Sequence, residues 1–248
     1  VVRELEPRLE TSELKEEHMT ISARIAALLE KTRATRGRLI SAIDATQSRQ
    51  PTWDVAASLQ TTMFEEAARI GGLEVQLVHF GGNECFNTPW TADTGELAKR
   101  MRMIQCEAGN TQILRVLEHI REEHARNKVA AAIFIGDAAE EVPQQLYDAA
   151  AGLGVPIFLF QGGHGLAIYV DQHGEIVRSH AVQTVEEIFR QLAQLTGGAY
   201  AQFDATAASK LGELLRAAAA FAVGGAKALA DLRNETARKL LTQMRGAT

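Results

Sequence analysis

The chain has 248 residues, 46% of them hydrophobic, enough to bury the core of one large domain with helical additions. Charged residues make up 23% and the net charge is -5, so there is no basic excess of the kind nucleic-acid binding requires. Two cysteines, Cys85 and Cys106, are too few for a disulfide framework and lack zinc-ligand spacing, which points to free thiols in a reducing compartment.

Residues 1–36 are rich in charge, with Ile21, Ile25, Leu28 and Leu29 at helical spacing. They read as an N-terminal helical extension. The charged start has no apolar stretch of the secretory kind, and a cytoplasmic protein is expected. The longest apolar run, 217–226, is too short for a membrane span, which needs about 20 residues.

Residues 37–204 alternate strand and helix patterns. Strands are expected at 38–44, 74–80, 84–87, 129–135, 155–160 and 199–203. Helices are expected at 53–70, 95–104, 112–126, 142–153 and 185–195, with a β-hairpin at about 167–180. The third region, 205–248, is an alanine-rich helical extension. Gly224-Gly225 should break it before a last helix over 226–244. The alternation predicts an α/β fold with a doubly wound, mostly parallel sheet, flanked by N- and C-terminal helices.

In such sheets the ligand site lies outside the carboxyl ends of the strands, where strand order reverses. The first strand runs out into Asp44-Ala-Thr46-Gln-Ser48. In a partly extended loop alternate residues project the same way, so one carboxylate and two hydroxyls can converge. Oxygen donors of this kind suit a hard cation such as Mg2+. The strand at 129–135 also runs into an acid, Gly136-Asp137, and Gly109-Asn110-Thr111 offers a further hydroxyl ahead of a helix.

Those three segments resemble the metal-ion-dependent adhesion site (MIDAS) of von Willebrand factor A domains, in their bacterial intracellular form. There the pattern is Asp-x-Ser-x-Ser with a distant Thr and a distant Asp. The resemblance covers residues 37–204, and Leu195-Thr-Gly-Gly-Ala-Tyr200 is similar to the family's last helix-to-strand turn. It implies a Rossmann-like fold with the first and fourth strands side by side. It implies that Thr46, Ser48 and Thr111 ligate Mg2+ directly, or Mn2+ or Ca2+ in its place, and that Asp44 and Asp137 hold it largely through waters. It implies a binding module and not an enzyme, whose open metal position takes an Asp or Glu from a partner protein. Thr46 departs from the family's Ser, keeping the hydroxyl and adding a methyl.

Two other readings stand beside this one. A Mg2+-dependent phosphoryl-transfer hydrolase would use Asp44 as nucleophile, but Thr46 stands where such enzymes carry a second Asp. A homo-oligomeric scaffold would use the terminal helices and leave the metal site vestigial. His164, His173 and His180 lack a recognised ligand spacing, and Gly162-Gly163-His164-Gly165 lacks nucleotide-loop spacing. Trp53, Trp90 and Phe86 are expected as core or loop anchors.

Overall fold

The computed structural model describes residues 36–46, 72–163, 183–203 and 208–246, together with Ala56, Leu59 and Glu66. Ser48, residues 1–35 of the expected N-terminal extension, Trp53 and the expected hairpin with its histidines lie outside the described residues. Gly37–Thr248 forms one compact unit.

Its frame is a six-stranded sheet in the order β3-β2-β1-β4-β5-β6. The strands are β1 (Gly37–Asp44), β2 (Leu73–Gly81), β3 (Glu84–Asn87), β4 (Ala131–Gly136), β5 (Ile157–Gly162) and β6 (Ala199–Phe203). All neighbours pair in parallel except β2 and β3, which form a hairpin. Gly82, at φ 57°, supplies the left-handed turn residue of that hairpin. Every residue of β4 and β5 is buried, as continuous apolar strands covered on both faces should be.

Alternate strand residues feed two cores. On one face Leu39, Ile43, Ile133 and Phe158 pack with α1 (Thr94–Met103), α5 (Ala208–Asp231) and α6 (Glu235–Arg245). On the other, Ile40, Ala42, Phe80 and Phe134 pack with α2 (Ile113–Arg126), α3 (Pro143–Ala150) and α4 (Val185–Thr196). The C-terminal alanine-rich segment thus buries its apolar face within the chain. Its small side chains let α5 run close against β1: a Cβ at Gly37 would stand 2.3 Å from the Ala222 carbonyl oxygen.

Several boundaries differ from expectation for local reasons. The helix expected over 142–153 stops at Ala150, because Gly152 and Gly154 adopt φ 68° and 75°. The strand expected at 129–135 begins at Ala131 and that at 155–160 begins at Ile157. Gly225, at φ 64° and ψ -158°, breaks α5 where a break is expected. The helix expected over 226–244 is in turn interrupted. Arg233 takes φ 52°, and Asn234 starts α6 by accepting a hydrogen bond from Ala237 N–H at 2.7 Å.

Among the described residues, no helix is long and apolar enough to cross a membrane.

Candidate metal centre

β1 pairs with β2 on one side and β4 on the other, so the connections leave it in opposite directions. The crevice at the carboxyl ends of β1 and β4 is therefore the switch point of the sheet. Asp44, the last residue of β1, is 1% exposed there. A carboxylate taken out of water is costly unless hydrogen bonds or opposite charge compensate it. Thr46 N–H donates to Asp44 Oδ1 at 2.8 Å, which turns the chain back over the carboxylate. Across the crevice stands Gly136, with Asp137 next in the chain. A Cβ built on Gly136 would lie 3.6 Å from Asp44 Cβ and 2.9 Å from the Phe134 ring, so the glycine keeps this passage clear. Asp137 is half-buried and Thr46 is buried.

The third contributor arrives on the loop between α1 and α2. Glu107 N–H donates to Ala45 O at 3.0 Å, and Thr46 pairs with Glu107 as an isolated parallel bridge. Gly109 then passes directly over the β2–β3 turn, where a Cβ would fall 2.2 Å from Gly82 O. Only a glycine permits that approach, and it delivers Thr111 to the start of α2. Thr111 is buried. Its hydroxyl donates to Glu141 Oε2 at 2.7 Å and accepts from Glu140 N–H at 2.9 Å. Its own N–H donates to Glu140 Oε2 at 2.6 Å.

The structure therefore brings Asp44 and Thr46 into direct contact and sets the Asp137 loop beside them. Thr111 is tied to that same loop through Glu140 and Glu141. Sequence reasoning did not single out these two glutamates. The one available signal was that Gln112, at the head of α2, is a poor capping residue: it makes no side-chain cap, so another group must serve.

Carboxylates and hydroxyls are hard oxygen donors, and their chemistry suits Mg2+, Mn2+ or Ca2+ better than a soft metal. Among the described residues no three His, Cys, Asp or Glu side chains gather into a metal cluster. A cation here would thus depend on hydroxyls and waters beside the Asp44 and Asp137 carboxylates.

Beside Ala45 a cleft of about 400 Å³ opens, lined by His79, Glu84, Phe86, Met103 and Glu107. Phe86 is not the anchor expected from the sequence. It sits on the edge strand β3, 50% exposed, and stacks on His79 at 5.3 Å. Burial holds the His79 imidazole below its ordinary range. Trp90 does anchor its loop: its indole N–H donates to Glu123 at 2.7 Å, and the Arg38 guanidinium lies 3.8 Å over its ring. Neither Cys85 nor Cys106 is in a disulfide. Burial raises the Cys85 pKa against the opposing charge of Arg115.

With six strands in this order and helices on both faces, the chain has the α/β fold of von Willebrand factor A domains. A von Willebrand factor type A structure from Catenulispora acidiphila matches with a TM-score of 0.54 at 15% identity, over 76% of this chain and 43% of that one. BatB, a conserved hypothetical protein from Bacteroides thetaiotaomicron, matches with a TM-score of 0.50 at 18% identity, over 72% of this chain and 97% of that one. Proximal thread matrix protein 1 from the mussel byssus, in a structure with a zinc-occupied MIDAS motif, matches with a TM-score of 0.51 at 15% identity, over 74% of this chain and 46% of that one. No protein-family model and no curated protein matches the sequence.

Proposed function

We propose that the chain is a metal-dependent protein-interaction module and not a catalyst. Asp44, Thr46, Thr111 and Asp137, with Ser48 from the sequence motif, would hold one divalent cation, Mg2+ by preference. When bound, the cation supplies an open coordination position for an Asp or Glu of a partner protein. The residues' own part is to set oxygen donors at the switch point and keep the crevice clear.

The observation that carries this reading is the placement of Asp44. It is a nearly fully buried carboxylate at the end of the central strand, facing Gly136-Asp137 across the reversal of strand order. The zinc-occupied MIDAS of the mussel protein supports it, since the same kind of fold holds a metal there. A carboxylate ligand from a partner suits Mg2+, which keeps several waters and can exchange one of them. A cytoplasmic setting is part of the same proposal.

Calorimetric titration of Mg2+ and Mn2+ into metal-stripped protein tests it. One site is expected, lost in both Asp44→Ala and Asp137→Ala, with the fold retained by circular dichroism. Binding that survives both substitutions would place the cation elsewhere, and no binding in the unmodified protein would refute the reading.

A further inference from the structure

We infer that Glu140 and Glu141 form a latch that positions Thr111 for the cation, an inference that rests on the metal-binding reading above. The two glutamates come three and four residues after Asp137, on the same loop. They reach across to the first residues of α2, and their contacts span 27 to 30 residues of chain.

Four hydrogen bonds make the latch. Glu140 accepts Thr111 N–H and returns its own N–H to the Thr111 hydroxyl. Glu141 takes the hydroxyl hydrogen on one oxygen and Leu114 N–H, at 3.1 Å, on the other. The start of α2 needs this help. The first N–H groups of a helix have no partner within it. The Gln112 side chain is turned away, donating to Glu84 O at 3.1 Å. Carboxylates from a distant loop do the capping, and negative charge at a helix N-terminus is favourable.

The consequence for Thr111 follows from its hydroxyl inventory, one hydrogen and two lone pairs. The hydrogen goes to Glu141 and one lone pair takes Glu140 N–H. The rotor is fixed and a single acceptor site remains, in a set direction. The latch also joins the loop bearing Asp137 to the segment bearing Thr111 at the entry to α2. Two donors from distant parts of the chain then move as one body, so metal binding need not first order them. Glu140 and Glu141 are positioning residues in this arrangement and not ligands.

The test uses the full chain, stripped of metal, with Mn2+ and Mg2+ as probes. In Glu141→Ala the dissociation constant should rise about 10-fold or more, as for residues that orient metal ligands. Glu141→Gln keeps an acceptor oxygen for the hydroxyl and should stay within about 3-fold of the unmodified protein. Hydrogen exchange at the Thr111 and Leu114 amides should quicken in the alanine variant. If Glu141→Ala does not fold, Glu140→Ala, which removes only the carboxylate that accepts Thr111 N–H, takes its place with the same readouts. Faster exchange with unchanged metal affinity would overturn the inference and leave the metal site standing. No metal binding by the unmodified protein would overturn the site and the latch together.

Discussion

Two parts of the molecule tie polar side chains into hydrogen-bonded networks, and they do so in different ways. Between β5 and β6 the Tyr200 hydroxyl donates to Gln161 Oε1 at 2.7 Å, both residues being 3% exposed. The Gln243 side chain of α6 accepts Tyr200 N–H and donates to Tyr200 O, both at 2.9 Å. Each group in this network is neutral. Burial, with Glu186 adding and Arg190 opposing, pushes the Tyr200 pKa up to about 12, so the phenol keeps its proton. At the switch point the side chains are carboxylates. Backbone N–H groups and the Thr111 hydroxyl hold Glu140 and Glu141, and these donors are neutral. A neutral network is complete when its hydrogen bonds are made. An anionic one also carries charge on its oxygens, the kind of donor a hard cation takes, and this distinguishes the seam from the candidate binding site.

The contrast can be broken most severely from the structural side. Gly198, at the turn into β6, approaches β5 so closely that a Cβ would lie 1.9 Å from Ile157 O. Gly198→Ala should cost about 3 kcal/mol, at the upper end for overpacking, as read by urea denaturation. Unchanged stability would mean that this seam yields, contrary to the comparison.

The switch point should respond to metal instead. At a Mg2+ concentration about 100 times the dissociation constant, binding should stabilise the unmodified protein by about 2.7 kcal/mol, and Asp44→Asn should lose that gain. The matching measurement is denaturation with and without Mg2+. A gain that persists in Asp44→Asn would remove Asp44 from the site. The smallest effect is expected at Gln243. Gln243→Ala removes two hydrogen bonds to the β6 backbone and should cost about 1–2 kcal/mol, independent of Mg2+. A metal-dependent cost there would erase the distinction between the two regions.

Much of the frame was legible because buried parallel strands leave continuous apolar runs, as at 131–135 and 157–160. The places of Asp44, Thr46 and Asp137 at or just past strand ends were legible for a related reason: oxygen-bearing side chains directly after such runs fall there. Glu140 and Glu141 were not, because their partner lies 29 and 30 residues away and nothing local requires it. They read instead as acids ahead of the helix begun by Pro143. Arg233 likewise gave no sign that a residue other than glycine would take a left-handed conformation and split the last helix.

The strand order also has a consequence for the newborn chain. β1 is the first strand of the sheet to be synthesised, yet it lies inside the sheet, and its Leu39 pairs with Ala131. At about 5–20 residues per second, that partner follows roughly 90 residues, or several seconds, behind. Until then β1 can pair only with β2, and Leu39, Ile40 and Ile43 await the surfaces that cover them. The crevice at Asp44 is thus assembled late, once the ribosome has released β4 and the loop that follows it.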